Sequence, residues 1–139
     1  MTRSCRFFVA VHALALLAHA GGGAMTSDVI AASVNTNPVV VRRVLARLAR
    51  AGLVATQKGP KGGVRLRRSA GQIELGEVYA AVESGPLFVP PPRRPNASCP
   101  VGSGLASALD PALHDAEAAV QSALAQTTVA ALVRRLRRL

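Results

Sequence analysis

Tryptophan is absent from this chain, and Phe7, Phe8, Tyr79 and Phe88 are its only aromatic residues. Proteins that hold single-stranded nucleic acid stack bases on aromatic platforms, so this scarcity points away from single strands and toward duplexes. Cysteine is nearly as rare. Cys5 and Cys99 supply neither a disulfide framework nor a four-cysteine zinc site, which fits a reducing cytoplasm. Acidic residues number only 7 against 17 lysines and arginines, and the formal charge of +10 favours a polyanionic partner. No apolar run approaches the roughly 20 residues that span a bilayer, so no membrane partner is expected. Paired carboxylates and a nucleophile elbow are missing, and His12, His19 and His114 stand singly. Neither catalysis nor a metal site is expected from such a set.

What is present is concentrated in Pro38 to Ala51. Asn37 caps a helix, and Pro38 occupies a first-turn position where its missing N–H costs nothing. Val41, Val44, Leu45 and Leu48 recur at i, i+3, i+4 and i+7, one apolar stripe for a core. Arg42, Arg43, Arg47 and Arg50 fall off that stripe. An outward face of guanidinium groups suits phosphates and guanine edges, so one side of this helix packs and the other reads DNA. Gly52 then ends the helix in a left-handed position.

The flanking segments complete a pattern. Phe7, Val11, Leu14 and Ala18 keep helical spacing from about Arg3 to His19, where Gly21-Gly22-Gly23 stops the helix. Arg3 and Arg6 before this apolar run, with Ala18-His19-Ala20 after it, also resemble a secretory leader; His12 and His19 interrupt the run and favour a core helix. Thr26 or Ser27 caps a short second helix through Ala32, with Asp28 in its first turn, and Asn35 to Asn37 form a turn. The pair makes a helix-turn-helix. Leu53 to Thr56 and Val64 to Arg67 read as strands around the glycine-rich loop Lys58-Gly-Pro-Lys-Gly-Gly63, a hairpin wing. That loop lacks the spacing and the Lys-Ser/Thr ending of a phosphate-binding loop. Ile73, Leu75, Val78, Ala81 and Val82 give a further helix. An irregular stretch with Pro90-Pro91-Pro92 and Cys99-Pro100 follows, and Asp110-Pro111 is expected to cap a last helix reaching nearly to Leu139. Its seam of Leu113, Ala116, Val120, Leu124, Thr127 and Ala131 alternates steps of three and four, the pattern of a helix that wants a partner helix.

Taken in order, Asn37-Pro-Val-Val-Val-Arg-Arg43, Ala51-Gly-Leu-Val54, Gly59-Pro-Lys-Gly-Gly63, Ile73 to Glu83 and Cys99-Pro-Val-Gly102 resemble the Rrf2 family of winged-helix transcriptional regulators. The resemblance covers nearly the whole chain. It implies a dimer whose C-terminal helices cross, with each recognition helix in a major groove and each wing beside a minor groove. Cluster-binding members carry three cysteines before the long helix, whereas only Cys99 stands there in this chain. No iron–sulfur cluster is therefore expected, since cluster iron is held chiefly by cysteine thiolates.

The resulting expectation is a mainly α fold with a small β-hairpin: a winged helix-turn-helix domain over 1–83, a Pro/Gly-rich loop over 84–104, and a dimerisation helix over 105–139. The function expected is a cytoplasmic, homodimeric, sequence-specific regulator, by preference a repressor, on a roughly palindromic operator in double-stranded DNA. A non-specific architectural DNA-binding protein and a winged-helix protein-interaction module are the alternatives. Candidate DNA contacts are Thr26, Ser27, Asn37 and Val39 at the helix starts, Arg42, Arg43 and Arg47 on the recognition helix, and Lys58 and Lys61 at the wing tip. Capping alone also explains Thr26, Ser27 and Asn37, and solvation alone explains an outward arginine. Cys99 is a candidate redox sensor, the other conceivable input being a small-molecule effector lodged between wing and long helix, whereas Cys5 is expected to pack.

Overall fold

Helices dominate, as the periodicity predicts, and one antiparallel hairpin interrupts them. The computed structural model describes residues 3–138; Leu139, the far end of the expected last helix, lies outside them. The order is α1 (Arg3–His19), α2 (Ser27–Val34), α3 (Pro38–Arg50), β1 (Val54–Gln57), β2 (Gly63–Leu66), a 3-10 turn (Ala70–Gln72), α4 (Leu75–Val82), α5 (Pro100–Leu124) and α6 (Val129–Leu136).

One core is shared by α1, α2, α3, the hairpin, α4 and α6. Ala10, Ala13, Leu14 and Leu17 of α1 are buried, and the stripe Val41, Val44, Leu45 and Leu48 of α3 meets them as its spacing requires. Ile30 from α2, Leu53 and Val54 at the start of β1, and Val78 and Val82 of α4 close the remaining sides. Phe7 stands edge-on to Tyr79 with ring centroids 5.7 Å apart, which pins α1 to α4. Cys5 is exposed on α1 instead of packing, because its neighbours in the core are one turn further along.

Each turn has a residue suited to it. Thr26 caps α2 by accepting from Val29 N at 3.3 Å, and Asn35 ends α2 in the left-handed region with φ 63°. Asn37 caps α3 by accepting from Val39 N at 2.9 Å. The hairpin pairs Val54 with Leu66 through Gln57 with Gly63. Met25 exchanges two backbone hydrogen bonds with Val64, at 2.9 and 2.8 Å, so the wing is fastened to the entrance of α2. Gly63 is required there: a side chain would strike the Met25 carbonyl.

The C-terminal region departs from expectation. α5 begins at Pro100, ten residues before the anticipated cap, so Asp110 and Pro111 lie inside the helix. Pro111 has no N–H for the carbonyl four residues back, that of Ser107, and the helix tolerates this where both residues are exposed to water. The single last helix is also two. α5 ends at Leu124, and Thr128 caps α6 by accepting from Ala131 N at 3.1 Å. Between them the chain pairs back onto the domain, Leu75 N donating to Thr127 O and Val129 N to Ile73 O, both at 2.9 Å. This places Val129 and Val133 in the core. Thr127 and Ala131 therefore leave the predicted seam, and Leu113, Ala116, Val120 and Leu124 are half-buried along α5, which packs on α4.

Candidate nucleic-acid interface

The two helices of the turn motif, α2 and α3, present their starts together, and one arginine joins them. Arg42 Nη1 lies 3.4 Å from Ser27 Oγ and 3.9 Å from Asp28 Oδ1, so its guanidinium is held over the first turn of α2 while more than half of the side chain stays exposed. An exposed ion pair at this distance contributes little to stability; its effect is orientation. Arg43 and Arg50 extend into solvent, and Val39, 42% exposed, lies one turn ahead of Arg42 and Arg43 on the same helix. Thr26 and Asn37, whose side-chain oxygens serve as caps, flank this surface.

Across from α3 stands the wing. An open cleft of about 340 Å³ separates them, bordered by Ser27 and Arg42 on the helical side and by Thr56 and Gly63 on the strands. Lys58 and Lys61 are exposed at the tip. Two cations on this hairpin were not among the expected contacts. Arg65 and Arg67 alternate with Val64 and Leu66, and both are exposed while Val64 is buried. Period-two alternation of arginine with valine and leucine is the sequence signal that marks them.

The structure turns Arg47 inward. Its Nη1 donates to the Val82 carbonyl at 3.1 Å, at the C-terminal end of α4, where helix carbonyls have no partner of their own and the dipole favours a cation. The next residue, Glu83, is buried and meets Arg6 at 3.4 Å. Both arginines brace the end of α4 against α3 and α1. The outward set is thus Arg42, Arg43 and Arg50 with the wing cations.

Behind the wing, Arg68 and Glu77 form a bidentate pair, with Nη1 to Oε2 at 2.5 Å and Nη2 to Oε1 at 3.2 Å. Arg68 also donates to the Gln72 carbonyl. The hydrogen bond from Arg68 holds the Glu77 carboxyl below its ordinary range and, reciprocally, raises the guanidinium. The pair fixes the hairpin exit to α4.

Cys99 stands at the cap of α5, half-buried, its backbone N–H donating to Asn96 O at 3.1 Å. The segment between α4 and α5 offers this one thiol, Cys5 sits at the start of α1, and among the described residues no three His, Cys, Asp or Glu side chains converge as metal ligands. Such a donor set does not fit an iron–sulfur cluster. The cavity that borders α5, about 370 Å³, lies against α4 between Tyr79 and His114, whereas the wing faces α3. Among the described residues no helix is long and apolar enough to cross a membrane.

A hairpin fastened to a helix-turn-helix, followed by a long projecting helix, is an arrangement with known counterparts. The family model described as Rrf2, iron-dependent transcriptional regulator, matches residues 3–135. This chain belongs to the Rrf2 family. YwnA of Bacillus subtilis (strain 168), named an HTH-type transcriptional regulator, is 36% identical over 124 residues, 89% of this chain and 91% of that protein. A crystal structure described as a DNA binding protein is 33% identical with TM-score 0.72, covering 91% of this chain and 97% of that one. A transcriptional regulator from Lactobacillus plantarum shares the fold, with TM-score 0.78 at 23% identity over 95% of this chain and 89% of its own. The Rrf2 member described here is thus a winged-helix protein of a family of transcriptional regulators.

Proposed function

We propose that this Rrf2 protein is a cytoplasmic, homodimeric repressor that binds a roughly palindromic operator in double-stranded DNA and acts without an iron–sulfur cluster. The observation that carries the reading is the placement of Arg42 and Arg43 on the exposed face of α3, beside a hairpin whose Lys58, Lys61, Arg65 and Arg67 are all exposed. A helix of this diameter enters a major groove, where a bidentate arginine recognises guanine and an exposed valine such as Val39 suits a thymine methyl. Lys58 and Lys61 serve the phosphate backbone, as Thr26, Ser27 and Asn37 do at the helix starts. Arg47 acts indirectly, by holding α3 against α4. Cys99, at the cap of the long helix, is the candidate for a redox input.

Selection of bound fragments from random duplex DNA tests the whole reading. A recurrent two-fold site, with half-sites about one or two turns apart, is the expected result. Affinity that follows salt alone, with no recurrent sequence, would leave an architectural role instead. Chelation of iron should leave the affinity for the selected site unchanged.

A further inference from the structure

The cavity between α4 and α5 takes no part in the DNA-facing surface. The two helices touch at Gly76, where a Cβ would lie 3.2 Å from the Gln121 carbonyl. One to two turns further along α4 they part around a space of about 370 Å³. Leu87 spans its edge: its N–H donates to Glu117 Oε1 at 2.6 Å and ties the segment after α4 to α5. A space of this size falls in the range of pockets that hold small organic molecules.

The charge of the lining runs against that of the chain. Glu83 and Glu117, two of the seven acidic residues, line the cavity, and none of the 17 lysines and arginines does. Glu83 is buried and meets Arg6 at 3.4 Å through Oε2. The donor to Glu117 is a neutral backbone N–H, which leaves that carboxylate its charge. Tyr79, Leu87 and Val120 supply an apolar wall beside the two carboxylates. With a formal charge of +10 the molecule repels small cations over most of its surface, so a locally acidic, partly apolar cavity is where a cation finds a site.

We propose that this cavity binds a small organic monocation, an amine on an apolar body, with the ammonium on Glu117 and Glu83 and the body against Tyr79, Leu87 and Val120. The three N–H donors of an ammonium suit two carboxylates. The cation is organic because, among the described residues, no three His, Cys, Asp or Glu side chains converge as metal ligands. Occupancy reaches α3 by a short route. Glu83 follows Val82, whose carbonyl accepts from Arg47 of α3 at 3.1 Å. An ammonium on Glu83 competes with Arg6 for the same carboxylate and so shifts the end of α4 on which Arg47 rests. The amine then alters the affinity for DNA, and DNA alters the affinity for the amine by the same factor. This relay rests on the DNA-binding reading above; the site itself does not.

Phenethylamine is the probe, with 2-phenylethanol and 3-phenylpropionate as its neutral and anionic counterparts of similar size. Calorimetric titration of the full chain should show saturable binding of the amine and of neither counterpart. Glu117→Gln keeps an acceptor for the Leu87 N–H and removes only the charge, so it should weaken phenethylamine binding roughly tenfold or more. Ala118→Leu fills the cavity from an exposed position on α5 and should abolish binding while the helical signal is retained. Phenethylamine that fails to saturate, equal binding of 2-phenylethanol, or a Glu117→Gln protein with parental affinity would overturn the site. Saturating phenethylamine should shift the affinity for the selected DNA site roughly fivefold or more, and an unchanged affinity would overturn the relay. Protein that binds phenethylamine but shows no preferred DNA site would instead remove the operator reading and leave the cavity assigned.

Discussion

All the buried apolar side chains except Val129 and Val133 lie in residues 3–83, whereas α5, with 25 residues, buries none. Both regions are helical and similarly rich in leucine, valine and alanine. They differ in what their apolar residues face: the domain closes on itself through stripes such as Val41, Val44, Leu45 and Leu48, while the first half of α5 presents Val101, Leu105 and Leu109 to solvent. Helical stability in proteins comes mainly from packing of an apolar face, and within this chain α5 has that packing only along its second half, against α4.

Removing one leucine from each region should have very different effects. Leu48→Ala should lower unfolding free energy by about 2 to 5 kcal/mol, the range for truncating a fully buried leucine, while Leu105→Ala should leave the monomer almost unaffected and weaken self-association. Urea titration and sedimentation of both variants measure the contrast. Equal losses of monomer stability would show that α5 is part of the same folding unit.

Next in size is the functional face. Arg42→Ala and Arg43→Ala should each weaken binding to the selected site by about 1 to 3 kcal/mol and scrambled DNA by less, if the side chain reads a base edge. Arg47→Ala should act differently. Its guanidinium holds the Val82 carbonyl, so thermal stability should fall together with affinity on every sequence. Fluorescence anisotropy beside a melting curve separates the two.

A smaller effect is expected at Asn37, whose side chain caps α3. Asn37→Ala should cost about 1 kcal/mol of stability, and Asn37→Ser should restore most of it, because serine also caps. If Asn37→Ser rescues stability but not DNA affinity, the amide contacts phosphate as well.

The smallest effect concerns the Arg68–Glu77 pair. Glu77 is held below the ordinary carboxylate range in the folded protein, so its contribution is present above the unfolded-state pKa and is lost as pH falls through the depressed one. The unfolding midpoint of the parent protein should therefore decline through the acidic range more steeply than that of Glu77→Gln. Parallel profiles for the two would mean that the pair contributes nothing to stability.

Much of the architecture was legible because its signals are local. The i, i+3, i+4 stripe of α3, the caps at Thr26 and Asn37, the glycine after Ala51 and the turn glycines of the wing each depend on residues within a few positions, and each element formed near its expected bounds. The outward arginines of α3 were legible for the same reason. Arg65 and Arg67 are marked in the sequence only by the strand alternation, a weaker signal than the lysines set among the loop glycines.

What the sequence determined by itself is therefore the kind of each element and which face of it is apolar, since both follow from side-chain spacing along one backbone. Tertiary structure alone decided the rest. Asp110-Pro111 carries the local marks of a helix start, but a helix begun at Pro100 runs through it because the lost hydrogen bond faces water. The break at Thr127 has a local mark in the Thr128 cap, but it is held by the pairing of that segment with Ile73 and Leu75, some 50 residues earlier, which draws Val129 into the core. Arg47 and Arg43 are the same residue type on one helix; one braces α4 and the other meets solvent because α4 lies against only one side of α3. Such outcomes depend on distances between elements, and no spacing within a single element encodes them.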